Sequence, residues 1–124
     1  MASIRARRLP PAALRQLSYQ ADPLRRSVRM LGRKWTLLLL RDLAFLKLTR
    51  FNQLLRNNQG LTPRVLSRRL REMQQEGLIT RTGSGRQVSY LLSERGADAV
   101  YILLAFLRYG LKHYPPGADV RPDR

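Results

Sequence analysis

Arg64, Ser67, Arg68 and Arg71 recur at steps of three and four residues, a spacing that collects them on one side of an α-helix. Leu66, Leu70, Met73 and Gly77 fall on the opposite side. A guanidinium presents its donors in a fixed fork that matches phosphate oxygens and the O6/N7 edge of guanine. A stripe of this kind recognises a polyanion, and duplex nucleic acid is the partner it fits. Thr62 belongs to the same candidate set as the residue that opens the helix. Arg86 and Gln87 join it from the tip of a glycine-containing turn. Arg50 joins it as a cation at a helix start, where a phosphate also meets backbone N–H groups.

No comparable case exists for catalysis. The 124 residues contain no Cys and a single His, which excludes thiolate chemistry, disulfides and cysteine-ligated zinc. Asp42, Glu72, Glu76, Glu94 and Asp98 are scattered along helices, with no pair, metal triad or nucleophile motif. The chain therefore reads as a non-enzyme without metal or cofactor.

The charge points the same way. Lys and Arg total 24 against 8 Asp and Glu, a formal net charge of +16. Such a field attracts nucleic acid, an anionic membrane surface or ribosomal RNA. Lys occurs only at 34, 47 and 112, and the dominance of Arg favours nucleic acid, although a GC-rich genome or a hot habitat produces the same bias. The longest apolar run, 99–107, ends at Arg108, well short of the roughly 20 residues that span a bilayer. The expected location is the cytoplasm, in association with the nucleoid, with no membrane partner.

The elements that must carry these side chains are legible in outline. One domain is expected over 12–114, between a basic flexible tail (1–11) and a Pro-rich flexible tail (115–124). Ala12–Gln20 reads as a short helix. Pro23–Leu31 reads as a second, with Asp22 as N-cap and Pro at its first position. Lys34–Leu46 is apolar on most of its circumference, as a central helix is, with Trp35 as a core anchor. Arg50–Asn57 reads as a short amphipathic helix capped by Thr49 and closed by the Asn57–Gly60 turn. Thr62–Pro63 is an N-cap followed by proline at the first helical position, and Gly77 closes that helix. Leu78–Thr82 and Gln87–Leu92 read as a hairpin about Gly83–Arg86. Ser93 caps a last helix that runs to about His113.

From Lys34 onward, three helices, a hairpin and a helix make a mainly α fold with a small β-hairpin, the winged helix-turn-helix. In it the second helix of the turn unit enters the major groove. The last helix has more apolar surface than one small domain can cover, and Tyr101, Leu104, Phe106 and Tyr109 read as contacts to a second copy. Arg69, nearer the apolar side, is a phosphate clamp or a partner for Glu72 or Asp42.

Five segments, in order, carry a family resemblance: Gly32–Thr36 with its leucine run, Arg50–Leu54, Gly60–Leu70, Glu76–Ile79 and Tyr90–Ser93. Together they resemble the HxlR-type (MarR-like) bacterial and archaeal transcriptional regulators over about Pro23–Tyr109. The resemblance implies a homodimer joined by its N- and C-terminal helices, whose two recognition helices read a pseudo-palindromic operator. Two departures stand out. Asp22–Pro23 replaces the Cys–Pro pair of many members, which removes thiol-based sensing, and the wing turn is shorter than usual and lacks proline. Two other readings stay open: a non-specific architectural protein, because so much of the charge lies outside the reading helix, and an RNA-binding protein. A small-molecule effector is neither implied nor excluded.

Overall fold

The computed structural model describes residues 9–16 and 23–117. They belong to two compact units, one within Met1–Lys34 and one within Trp35–Arg124. The first holds α1 (Pro11–Gln16) and α2 (Pro23–Leu31). Pro11, expected at the end of a flexible tail, is instead the first residue of α1, and the carbonyl of Pro10 accepts the Ala13 N–H at 3.0 Å. Proline suits that position because its missing N–H has no intrahelical partner to lose. The expected extension of α1 through 17–20 and the Asp22 cap lie outside the described residues. Arg25, Arg26 and Arg29 are exposed along α2, as are Leu24 and Val28, and no residue of this helix is buried.

The second unit holds α3 (Thr36–Ala44), α4 (Phe51–Arg56), α5 (Pro63–Gln75), β1 (Ile79–Thr82), β2 (Ser89–Leu92) and α6 (Glu94–His113). The strands pair antiparallel, with Ile79 opposite Leu92 and Thr82 opposite Ser89. The order of elements and the hairpin between α5 and α6 are those of a winged helix-turn-helix. No helix among the described residues is long and apolar enough to cross a membrane.

Each element of this unit contributes to one core. Leu39, Leu40 and Leu43 come from α3, Leu54 from α4, Leu66, Leu70 and Met73 from α5, and Ala99 and Leu103 from α6, with Leu78, Ile79 and Tyr90 closing the hairpin side. α3 packs on α6 and β2, and α5 packs on β1. Fully burying each leucine stabilises the fold by roughly 1.5–3 kcal/mol relative to leaving it exposed. Gly96 lets α6 begin against the hairpin, since a Cβ there would overlap the Leu78 carbonyl.

The central helix is shorter than its apolar run. Trp35 has a left-handed backbone (φ 82°), so α3 starts at Thr36 and not at Lys34. Trp35 is half-buried, and its ring edge lies 3.7 Å from where a Cβ on Gly60 would stand. At the other end Phe45 and Leu46 leave the helix and are exposed, and Lys47 turns the chain with a φ of 56°. Hydrophobicity alone misplaces both ends here, because the exposed turn is as apolar as the core helix.

Candidate nucleic-acid interface

α5 begins where the sequence predicts. Thr62 has extended backbone and its Oγ1 accepts the Val65 N–H at 3.2 Å, while Pro63 occupies the first helical position. The cap satisfies a donor that the first turn leaves without an intrahelical partner. Glu76 then caps the C-terminal end, and Gly77 reverses the chain at φ 81°. With Leu66, Leu70 and Met73 buried, Arg64, Ser67, Arg68 and Arg71 form the exposed face of the helix. Arg69 sits between the faces, and its Nη1 donates to Glu72 Oε1 at 3.1 Å. Of the two acidic partners considered for it, Glu72 is the one it meets.

The turn that leads into α5 hangs on a buried acid. Asp42 of α3 is 0% exposed. Its Oδ1 accepts from Arg41 Nε at 2.8 Å and from Asn57 Nδ2 at 2.9 Å, and its Oδ2 accepts from Asn58 Nδ2 at 2.7 Å. Asn58 also donates to the Leu54 carbonyl at 2.8 Å and accepts from Arg41 Nη2 at 3.1 Å. Its own carbonyl takes the Leu61 N–H at 3.0 Å. A buried carboxylate is costly unless paired and hydrogen-bonded, and this one is satisfied by α3 and the turn together. The sequence offers Asp42 only as one of several scattered acids and as a candidate partner for Arg69, not as the anchor of this turn. A charge among leucines was the available signal, and its partners lie at least fifteen residues away except for Arg41.

The wing differs from its expected form. The loop between the strands spans 83–88 and contains a 3₁₀ turn over Gly85–Gln87, so Gln87 lies in the loop and not in a strand. The Gln87 N–H closes on the Ser84 carbonyl at 2.9 Å. Gly83 (φ 83°) is required there, because a Cβ would overlap the Gln87 carbonyl. Arg81, Ser84, Arg86 and Gln87 are all exposed.

Arg50, not Thr49, is the N-cap of α4. The backbone N–H groups of Thr49 and Arg50 both donate to Gln53 Oε1, each at 3.1 Å. Both of these donors are occupied, so neither is open to a phosphate. The guanidinium instead turns toward the wing, where Nη1 donates to the carbonyls of Arg86 at 2.8 Å and Val88 at 3.5 Å. The Tyr90 N–H adds a bond to the Thr49 carbonyl at 2.8 Å.

At its other end the hairpin is fastened to α6. Ser93 Oγ accepts from the Gly96 N–H at 3.0 Å and donates to the Gly77 carbonyl, and Arg95 pairs with Glu76 at 2.7 Å. Farther along, α6 presents Tyr101 (75% exposed), Leu104 (38%), Phe106 (62%) and Tyr109 (59%) to solvent, and Ile102, Leu107 and Leu111 extend the uncovered apolar surface. The Tyr109 ring lies 4.5 Å, centroid to centroid, from that of His113 of its own helix, tilted by 42°.

Comparison with known proteins agrees with this architecture. Residues 30–117 match the model of the HxlR-like helix-turn-helix family. The chain is 32% identical over 100 residues to the uncharacterized HTH-type transcriptional regulator Rv3095 of Mycobacterium tuberculosis, a match that takes in 78% of this chain and 62% of that protein. It is thus similar to somewhat less than two thirds of that relative's length. The crystal structure of PA1607 superposes with a TM-score of 0.70 at 28% identity, over 86% of this chain and 77% of the other. The redox regulator HypR in its reduced form superposes with a TM-score of 0.65 at 26% identity, over 73% and 91%.

Proposed function

The chain belongs to the HxlR-like helix-turn-helix family, and on that footing we propose that it is a dimeric transcriptional regulator that reads duplex DNA through α5. The observation that carries the reading is the division of α5 into a core face and an exposed face bearing Arg64, Ser67, Arg68 and Arg71. Arg68 or Arg71 makes bidentate contacts to guanine, and the remaining arginines set the register on phosphates. Thr62 fixes the N-terminal end of the helix, from which base edges are reached. Arg86 and Gln87 meet the DNA backbone beside the groove.

The dimer rests on the surface of α6. Tyr101, Leu104, Phe106 and Tyr109 leave an apolar patch of a kind that monomers seldom expose. Leu24 and Val28 of α2 are likewise uncovered, in keeping with a dimer built from both terminal segments. Two recognition helices one turn of DNA apart, about 34 Å, then match a pseudo-palindromic operator. The proposed setting is the nucleoid, and no catalysis is proposed.

A second reading has its own observation. Arg26 and Arg29 of α2 are exposed and lie outside α5 and the wing, and the net charge of +16 exceeds what reading one operator requires. An architectural protein that holds DNA without choosing a sequence would use them. Footprinting on the protein's own promoter region, followed by a salt titration, separates the two. A regulator protects a discrete site and keeps a specificity ratio of roughly 10³ or more over random duplex. Uniform, unspecific protection with the same steep salt dependence means the architectural reading is right. Stronger binding to an RNA hairpin than to duplex at equal salt defeats both.

A further inference from the structure

We infer that Arg50 is a positioning residue: it fastens the wing loop to the start of α4, and its influence on DNA binding is exerted through Arg86. The inference rests on the proposed DNA-binding role of the wing and assigns Arg50 a part in it different from a phosphate contact of its own.

The loop 83–88 has little else to hold it. Residues 83–87 are exposed and only Val88, at the end of the loop, is half-buried, so no apolar side chain anchors the tip that carries Arg86 and Gln87. Gly83 and Gly85 both have positive φ, and glycines give up the most conformational freedom when a loop is ordered. Within the loop there is one backbone hydrogen bond, from Gln87 to Ser84. Among the described residues, the side chain outside the loop that hydrogen-bonds its backbone is that of Arg50, through the carbonyls of Arg86 and Val88. Those carbonyls flank Gln87, so one guanidinium fixes the backbone beneath both candidate contacts.

Arg50 is itself held. Its N–H and that of Thr49 are tied to Gln53, and the Thr49 carbonyl accepts from Tyr90 at the base of the wing. A wing so fastened presents Arg86 already ordered. A loose wing must lose its freedom on binding, at a cost in affinity.

The test is a double-mutant cycle of Arg50→Ala and Arg86→Ala on a random-sequence duplex, which reads phosphate contacts without base readout. Amide exchange of the free protein at Gln87 and Tyr90 accompanies it. Arg50→Ala weakens binding by about tenfold in the otherwise unchanged protein, the order of one charge-assisted hydrogen bond. In the Arg86→Ala background it weakens binding by less than about twofold, the non-additivity of two residues that act as one unit. The salt slope falls by roughly 0.9 in either single variant and no further in the double. Exchange at Gln87 and Tyr90 accelerates in Arg50→Ala while helix content is unchanged. An equal loss in both backgrounds, with a slope reduced twice over, makes Arg50 an independent phosphate contact and overturns the inference, as does unaltered exchange. A wild-type protein that binds no duplex overturns the proposed function instead, and the exchange measurement still decides whether Arg50 fastens the wing.

Discussion

Asp42 and Asn58, sixteen residues apart, meet at 2.7 Å inside the second unit, and through that bond the core helix α3 sets the turn that delivers α5. Because Asn58 also reaches Leu54, Leu61 and Arg41, the pair joins α3, α4 and the entry to the recognition helix. Asn58→Ala leaves the buried carboxylate short of a donor and is expected to cost about 1–3 kcal/mol in urea denaturation. Asp42→Ala strands Asn57, Asn58 and Arg41 together, and the double variant should cost clearly less than the sum of the singles. Additive losses would show that the two residues are not one network.

Thr62 acts at the next step. Thr62→Ala removes the acceptor of the Val65 N–H and is expected to destabilise the protein by roughly 1 kcal/mol, within the 0.5–2 range of lost N-caps. Thr62→Ser keeps the oxygen and should restore most of the loss. Thermal melts of the three proteins provide the comparison, and a serine variant no better than alanine would count against the cap.

The exposed arginines of α5 separate binding from folding. Arg68→Ala and Arg71→Ala should leave stability within about 0.5 kcal/mol, because neither side chain is buried. A base contact is worth roughly 1–3 kcal/mol of operator affinity. Leu66→Ala, on the buried face of the same helix, should show the reverse pattern and lose about 2–5 kcal/mol of stability. Titration of the footprinted duplex alongside chemical denaturation distinguishes them, and unchanged operator affinity in both arginine variants would remove α5 from the role of reader.

On α6 the expected effect is on assembly. Leu104 is partly exposed in the single chain, so Leu104→Glu should remain folded while sedimenting as a monomer. A folded variant that still sediments as a dimer would place the interface elsewhere.

Several features of this protein were determined locally and could be read from the sequence alone. The bounds of α5 follow from Thr62–Pro63 at one end and Gly77 at the other, and its two faces follow from the helical period. Ser93 marked the start of α6 for the same reason, and the alternation of helix and hairpin signals carried the fold class. These signals act within a few residues, so they survive without knowledge of any neighbour. The family resemblance drew on the same segments.

Tertiary structure decided what depends on distant partners. Nothing near Asp42 in the chain announces Asn57 and Asn58, and nothing near Arg50 announces the carbonyl of Arg86, thirty-six residues on. The position-35 backbone and the exposed Phe45–Leu46 turn shortened a helix that hydrophobicity alone would extend. Sequence therefore specified which helix bears the arginines. Packing and buried hydrogen bonds, whose partners the chain brings together only when folded, specified how that helix and its wing are held.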